Sequence, residues 1–400
     1  MIAIERKGRR KSWMTAGNYT LKVNSAAPDE WSQLSEQASL FAQKMWIDTM
    51  GERIEGKKLW WTISRAEKSR LGLFGSVVDN PNAYELQNVH TLLTSTNSVF
   101  KADKIAHEML IQLQEQIGSA EEWFPNLIFT YPGYECFPIG PGYREKADLE
   151  ALISKVVDWG QKQELKLITL LYAEEDGVWS EVLTRNGFSW VPLTHCSNLY
   201  LSEGNFEIYL QSLTHPMRKK IRRERKQMRE LGLRTEVIPL EPWIEEMVHL
   251  RCANKRKYGH EVDQVVERRR FERLKDMFGE QITVFGCKDG DQLLSFTLFI
   301  RDRDIWHAFF TGSEYDDPRA KFTYFENTFY QPVEQAAVYG VTCISYGHAA
   351  TDAKRRRGCR LTPVGGWIKA LCPTLIPVIR QIAIVRCEWE KRERSRYMNG

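Results

Sequence analysis

The same order of predicted helices and strands occurs twice along this 400-residue chain, and that repeat constrains the fold more than any single motif does. The first half contains helical spacing after Asp29, paired strands at 57–66 and 70–79, a helix at 101–117, an apolar strand from Asn126, a helix from Asp148, a strand at 166–173, a helix at 177–188 and a strand at 189–201. The second half contains helices at 242–259 and 264–278, a hairpin turning at Asp289-Gly290-Asp291, a strand at 304–312, a long helix at 323–340 and a strand at 341–347. The repeat predicts a mixed α/β fold (α+β in part) with two tandem domains, each a mixed sheet flanked by helices.

The length of the chain also favours two domains, because a single core of ordinary size rarely serves 400 residues. We expect a flexible basic arm at 1–27, a first domain at 28–202, a second domain at 203–390 that opens with a basic helix at 214–231, and a tail at 391–400.

Net charge is only +4, so any anion-binding surface must come from local clusters of Lys and Arg. The eight cysteines form no C-x-x-C pair, which fits a reducing compartment better than a zinc ribbon or a redox motif. The N-terminus lacks the apolar core of a signal peptide, and Pro373, Pro377 and Arg380 interrupt the apolar segment 371–387. We therefore expect a cytoplasmic protein with no integral membrane contact.

The densest basic cluster places eight Lys or Arg residues in the fourteen positions from Met217 to Glu230. Pro216 suits a first helical turn, and apolar residues recur at helical spacing through the segment. Arg218, Arg222, Arg225 and Arg229 then share one helix face, which could bind the phosphates of a nucleic acid. The alternative is a solvated helix face whose charges are satisfied by Glu224, Glu230 and acidic neighbours.

Three segments resemble the Fem-like (FemABX-type) branch of the GNAT superfamily of N-acyltransferases. They are LTRNGFSWV (183–191), the basic segment 209–233, and the helix, strand and Lys/Arg-Gly turn of 324–363. The resemblance covers about residues 30–370 and implies two tandem GNAT-like domains. The best-known members of this branch transfer aminoacyl groups from tRNA during peptidoglycan cross-bridge synthesis, and relatives act in natural-product pathways such as antibiotic biosynthesis.

The loop that binds coenzyme A in acetyl-CoA-dependent GNAT domains is not recognisable in either half. The corresponding segments are GPGYREKAD (140–148), with a proline where a backbone donor is wanted, and GSEYDDPRAKFTYF (312–325), where Glu314, Asp316 and Asp317 repel phosphate. We therefore expect an acyl donor other than coenzyme A, and no metal or redox cofactor.

The resemblance assigns catalytic roles to Lys354 and Arg357, which match the Lys/Arg-Gly positions of the family signature. A fixed cation there could stabilise the oxyanion of acyl transfer; the alternative is an exposed basic turn, and Cys359 replaces the last aromatic residue of the motif. His307 lies on the strand that borders the acyl site in GNAT folds and could accept the proton of the attacking amine. It could equally be a structural histidine.

Further residues are expected to bind substrates near the same opening, although each could instead serve ordinary packing or shape a plain loop. The predicted substrate-binding residues are Tyr346, His348, Tyr258, Lys321, Tyr324, Glu326, Tyr134, Tyr143 and Arg144. The predicted tRNA-binding residues are Arg218, Lys219, Arg222, Arg223, Arg225, Lys226 and Arg229.

Three functions remain open from the sequence. The leading one is an aminoacyltransferase, expected to be a monomer, that moves an aminoacyl group from aminoacyl-tRNA to an amine of a small molecule or a peptidoglycan precursor. The second is an N-acyltransferase that uses an acyl-CoA or carrier-protein thioester. The third is a non-catalytic RNA-binding protein on the same scaffold.

Overall fold

The structure is a computed structural model that describes residues 19–84, 86–95, 103–201, 206–348 and 350–398. Within these residues one sheet of twelve strands runs through the molecule in the order β1-β2-β3-β4-β5-β12-β6-β11-β10-β9-β8-β7. The strands are β1 (Tyr19–Asn24), β2 (Lys57–Arg65), β3 (Lys68–Val78), β4 (Asn126–Phe129), β5 (Leu167–Glu174), β6 (Ser189–Tyr200), β7 (Arg234–Ile238), β8 (Ile282–Asp289), β9 (Gln292–Asp302), β10 (Ile305–Ser313), β11 (Cys343–Ser345) and β12 (Arg360–Ala370).

Helices cover the sheet between these strands. They are α1 (Trp31–Ser35), α2 (Lys44–Met50), α3 (Val89–Thr94), α4 (Lys104–Gln112), α5 (Gln114–Ile117), α6 (Lys146–Lys162), α7 (Val178–Arg185), α8 (Phe206–Ser212), α9 (His215–Glu230), α10 (Ile244–Lys257), α11 (Gln264–Phe278), α12 (Thr323–Phe325), α13 (Gln331–Gln335), α14 (Thr351–Arg355) and α15 (Leu375–Met398). Local sequence sets several of the helix starts. Asp263, for example, accepts hydrogen bonds from the Val265 and Val266 amides and caps α11.

The sheet contains two equivalent five-strand runs, β1–β5 and β7–β11. In each run the first four strands are antiparallel neighbours and the fifth is parallel to the fourth, so β4 pairs with β5 and β10 pairs with β11. The mixed α/β fold with a doubled unit is therefore confirmed.

The sixth strand of each run comes from the other half of the chain. β12, from the end of the chain, pairs with β5, while β6, from the first half, pairs with β11. β6 and β12 also pair with each other and join the two runs into one sheet. The proposed domain boundary near residue 202 remains a prediction, but residues 360–370 lie among strands of the first half.

A shared hydrophobic core also connects the two halves. Trp31 and Trp46, on the first two helices, belong to the same buried cluster as Phe271 and Phe278 on α11. The rings of Trp46 and Phe278 are 5.6 Å apart. The halves are thus joined by side chains as well as by strands.

Four sequence-based assignments need correction. Within the expected arm, Tyr19–Asn24 forms an edge strand on β2, whereas residues 1–18 lie outside the described residues. Within the expected tail, α15 continues to Met398, because Pro377 falls in its first turn, where proline is tolerated. The segment after Asp29 is broken into α1, a 3-10 turn and α2, and a π-helix at Glu326–Tyr330 interrupts the long helix.

None of the helices among the described residues is both long enough and apolar enough to cross a membrane.

Candidate active site

A cavity of about 1720 Å³ lies where the parallel strands of both halves separate. β4 pairs with β5 only over Asn126–Phe129, and β10 pairs with β11 only over Ile305–His307. Beyond these points the chain leaves β4 at Thr130, and a bulge between Ala308 and Phe310 redirects β10. Side chains at the carboxyl ends of the separating strands therefore line the space, as ligand sites in open α/β sheets generally require.

His307 is the last residue of β10 that pairs with β11, and it lines this cavity. Its side chain is 9% exposed, and its Nε2 has no hydrogen-bond partner among the described residues. The Phe41 ring meets the imidazole edge-on at 4.8 Å. Burial lowers the pKa of His307 to about 4, so the ring is neutral at physiological pH.

Tyr346 and His348 follow β11 and line the same cavity. The Tyr346 ring stacks on Phe329 at 4.3 Å, and its buried hydroxyl has no hydrogen-bond partner in the described part of the chain. His348 Nε2 lies 3.2 Å from the carbonyl oxygen of Tyr134, and burial lowers the pKa of His348.

Tyr134 and Tyr172 form an aromatic wall with His348. The two tyrosine rings are 5.0 Å apart, and the Tyr172 ring is 5.7 Å from the imidazole. Both tyrosines have φ of 62°, a left-handed conformation that ordinary residues seldom adopt. Such strain concentrates at functional sites, where surrounding structure holds it in place.

Tyr143 and Arg144 lie at the rim of the cavity. Tyr143 is 47% exposed, and the Arg144 guanidinium sits 5.0 Å from its ring. The structure therefore brings His307, Tyr346, His348, Tyr134, Tyr143 and Arg144 to one cavity, and their roles in binding stay predictions.

Glu135 is a cavity residue that the sequence reasoning missed. Its carboxylate accepts a hydrogen bond from Ser39 Oγ at 3.1 Å and forms no ion pair with a described cation. Burial, with the negative charges of Asp302 and Glu174 nearby, raises the pKa of Glu135 to about 7. A lone carboxylate within the aromatic loop 131–144 was the available sequence signal.

Lys354 lies outside the cavity lining, contrary to its predicted contact with the oxyanion. Its Nζ donates to the carbonyl oxygens of Tyr346 at 2.7 Å, Gly347 at 3.3 Å and His348 at 2.7 Å. An ammonium group has three donors, so these carbonyls use its whole capacity. Burial lowers the pKa of Lys354 to about 8. The side chain fixes the turn that carries Tyr346 and His348.

Arg357 is likewise buried away from the cavity, at 2% exposure. Its guanidinium lies over the Phe325 ring at 3.5 Å, and its Nε donates to Tyr330 Oη at 3.2 Å. The Glu224 carboxylate is 3.9 Å from Arg357 Nη2. These contacts connect the turn after β11 to α9, and the predicted contact of Arg357 with an oxyanion stays a prediction.

The remaining predicted substrate-binding residues do not reach the cavity lining. Tyr258 is 67% exposed at the end of α10, Lys321 is exposed beside Phe322, and burial raises the pKa of Tyr324 to about 12. Glu326 is buried and paired with Arg225 at 2.9 Å. The sequence placed them near the site because they flank the correct strands.

The basic helix α9 forms as predicted, with Met217, Ile221, Glu224 and Met228 on its buried face. The predicted arginine face, however, lies against acidic and carbonyl groups. Arg218 donates to the Leu213 carbonyl, Arg222 pairs with Glu207 at 3.1 Å, and Arg225 pairs with Glu326 and Glu334. Much of that charge is therefore neutralised within the protein.

The face of α9 that points away from its buried residues carries Lys219, Arg223 and Lys226. All three are exposed, and they are spaced four and three residues apart. Lys219 and Arg223 form no ion pair with any described carboxylate, and Lys226 pairs with Glu230 at 3.6 Å. Arg229 is also exposed, beside a smaller pocket.

A carboxylate occupies each helix start where a GNAT domain would hold a diphosphate. In the first half, buried Asp148 lies in the first turn of α6 and accepts hydrogen bonds from Tyr19 Oη at 2.6 Å and Arg70 Nε at 2.7 Å. In the second half, the Asp317 carboxylate accepts hydrogen bonds from the backbone amide and the guanidinium of Arg319. Arg70 and Arg319 pair with these carboxylates, so internal ion pairs occupy the two positions that a phosphate would take.

No group of three or more potential metal ligands occurs among the residues that the structure describes.

A family model for peptidoglycan biosynthesis and recognition matches residues 114–382, which is more than half of the chain. The chain belongs to the FemAB-like family. Membership of this family supports an acyltransferase role.

Solved structures place the fold in the same group. The FemAB-like chain resembles the crystal structure of FemX, with a TM-score of 0.56 and 12% identity over 90% of this chain and 99% of that one. It is also similar to a tandem GNAT protein from the clavulanic acid biosynthesis pathway, with a TM-score of 0.45 and 10% identity over 89% and 99% of the two chains. A search of curated protein sequences finds no match.

Proposed function

We propose that the protein transfers an aminoacyl group from aminoacyl-tRNA to an amine, forming an amide. The observation that carries this proposal is the pair of carboxylates, Asp148 and Asp317, at the helix starts where coenzyme A would place its diphosphate. An acyl donor without that diphosphate at those positions fits the two halves better. The acceptor is an amine of a peptidoglycan precursor or of a small molecule, and the work is done in the cytoplasm.

An aminoacyl ester is already activated, so the main task of the protein is to orient the ester and the amine for reaction. We assign substrate contact to the cavity residues His307, Tyr346, His348 and Tyr134. Lys354 and Arg357 take positioning roles, since they hold the turn and α9 rather than face the cavity.

The tRNA would bind to the outward face of α9. Lys219, Arg223 and Lys226 can each approach a backbone phosphate, and binding through them would weaken steeply as salt concentration rises. Arg222 and Arg225 contribute less, because carboxylates of the protein already pair with them.

The first test measures tRNA binding across a range of salt concentrations. The double variant Lys219→Glu/Arg223→Glu removes two phosphate contacts without breaking an internal ion pair, so the slope of log affinity against log salt should fall by about 2. Arg269→Glu, an exposed arginine on α11, is the matched control and should leave the slope unchanged.

The second test offers a mixture of charged, labelled tRNAs with a cell extract and identifies the labelled product by mass. A new amide that carries the label supports the proposal. A thermal shift with coenzyme A and no tRNA binding would instead favour the thioester-dependent enzyme. Binding of tRNA without any acylated amine would favour a non-catalytic RNA-binding protein.

A further inference from the structure

The cavity favours a positively charged guest. Five carboxylates and three guanidiniums line it, and His307 is neutral. The carboxylates are those of Glu135, Glu174, Asp176, Asp304 and Glu393. Glu393 pairs with Arg396, and Arg251 lies 3.9 Å from the Glu267 carboxylate outside the cavity. The remaining lining still carries four carboxylates against two guanidiniums, so its formal charge is negative.

Glu135 differs from the paired carboxylates of this protein because no cation of the described residues forms an ion pair with it. Among the described residues, Ser39 Oγ is the one side-chain group that donates a hydrogen bond to this carboxylate. Glu174 on β5 and Asp302 on β9 add negative charge beside it. Asp302, in contrast, is satisfied by the Leu40 amide and by Arg303.

An unpartnered polar atom belongs to a side chain that lines the same cavity. His307 is nine-tenths buried, and its Nε2 has no hydrogen-bond partner among the described residues. A buried polar atom without a partner is costly in a folded protein unless something binds to it. This atom, with the Glu135 carboxylate, therefore points to a polar ligand that completes its hydrogen bonds.

We propose that the acceptor amine binds in this cavity as an ammonium ion beside Glu135 and Glu174, and that Glu135 accepts its proton. This inference rests on the proposed acyl transfer. The ammonium loses one proton to the Glu135 carboxylate, and the neutral nitrogen attacks the carbonyl carbon of the ester. A carbon–nitrogen bond forms, the carbon–oxygen bond breaks, the second proton of the nitrogen passes to the departing hydroxyl, and Glu135 releases its proton to solvent.

The environment of Glu135 suits this task. A general base works best when its pKa lies near the operating pH, and burial raises the pKa of Glu135 to about 7. The groups that face it are Asp302, Glu174, Cys196 and Tyr131. None of them is a cation that would hold the carboxylate permanently ionised.

The decisive experiment does not need tRNA. The infrared band of a protonated carboxyl group is followed against pH in the whole protein, in Glu135→Gln and in the exposed control Glu115→Gln. The wild type and the control should lose one carboxyl band with a midpoint near 7, and Glu135→Gln should lack that band. Butylammonium chloride should lower the midpoint by about 1 unit relative to sodium chloride, because a bound cation favours the ionised carboxylate.

The kinetic comparison follows with the acceptor found by the mass experiment. The single-turnover rate should rise with pH to a plateau above about 7, and Glu135→Gln should be slower by about 100-fold or more without that inflection. Glu135→Asp should recover part of the rate. If tRNA fails as donor, the same comparison is made with a thioester, because the ammonium loses the same proton with either donor.

If butylammonium chloride leaves the pH midpoint of the carboxyl band unchanged, the ammonium site is overturned. An unchanged transfer rate in Glu135→Gln would overturn it as well. Failure of tRNA transfer alone would instead overturn the proposed function and leave the infrared result standing.

Discussion

The phenol of Tyr330 donates a hydrogen bond of 2.6 Å to the Glu224 carboxylate, and both side chains are buried. Glu224 lies on the buried face of α9. Tyr330 is the last residue of the π-helix that interrupts the helical segment 323–340. Arg357 Nε also donates to the same phenol oxygen. One buried contact thus joins the basic helix to the turn that carries Tyr346 and His348.

Tyr330→Phe should lower the free energy of unfolding by about 1–3 kcal/mol, because the buried Glu224 carboxylate loses its donor. Urea unfolding measures the change. Tyr258→Phe is the control, since that side chain is 67% exposed and its substitution should alter stability by less than about 0.5 kcal/mol. Equal effects of the two substitutions would contradict the role given to the buried contact.

His307 should make the protein sensitive to mild acid. Burial lowers the pKa of this imidazole from 6.5 to about 4, so the unfolded chain binds more protons than the folded protein between these values. The stability present above pH 6.5 is therefore lost as pH falls toward 4, by about 3 kcal/mol in total.

Urea unfolding at several pH values checks this dependence. His307→Gln should flatten the decline in the free energy of unfolding between pH 6.5 and 4, whereas exposed His260→Gln should keep the wild-type slope. An identical slope in all three proteins would show that another group causes the acid sensitivity.

Arg225 should matter for stability and Arg223, two residues earlier on the same helix, should not. The Arg225 guanidinium lies 2.9 Å from Glu326 and 2.6 Å from Glu334. Arg225→Ala leaves the buried Glu326 carboxylate without its partner and should cost about 2 kcal/mol. Arg223→Ala removes an exposed side chain and should cost less than about 0.5 kcal/mol.

Chemical denaturation of both variants measures this difference, and tRNA binding provides the opposite comparison. Arg223→Ala should weaken tRNA more than Arg225→Ala does. Adding Glu326→Gln to Arg225→Ala should restore part of the lost stability, since the unpaired charge is then removed. Equal effects of Arg223→Ala and Arg225→Ala on both stability and tRNA binding would refute the assignment of different roles to these two arginines.

Asp148 should secure the N-terminal strand. It accepts hydrogen bonds from Tyr19 Oη on β1 and Arg70 Nε on β3. Asp148→Asn keeps the shape but removes the charge, so amide hydrogen exchange at Tyr19–Asn24 should accelerate. Lys146→Gln, on the same helix turn but half-exposed and paired with Glu181 on α7, should leave exchange in that strand unchanged. No difference between the two variants would mean that the pairing of β1 with β2 is sufficient.

Periodicity and turn chemistry predict most of the elements. The spacing of apolar residues at 264–278 and the Asp289–Asp291 turn both carry strong local signals, and the structure has a helix and a hairpin there. β12 has no such signal, because Pro363 and two glycines break the alternation of a strand. Its position between β5 and β6 depends on contacts distant in sequence.

The site divides in the same way. The resemblance places His307 on the strand that borders the acyl site and Tyr346 at the end of the next strand, and both residues line the cavity. Lys354 resembles a catalytic cation in sequence, yet three backbone carbonyls hold its ammonium group. Glu135 has no motif, and its significance comes from what surrounds it after folding.

The exchange of β6 and β12 has a consequence for how the chain is made. As the polypeptide leaves the ribosome, the sheet of the first half stays incomplete until residues 360–370 have also been synthesised. A cleavage in the connection between Tyr200 and Phe206 would give two fragments, each holding the strand that the other lacks. Such fragments would complement one another as a split protein does, and neither would be a self-sufficient module.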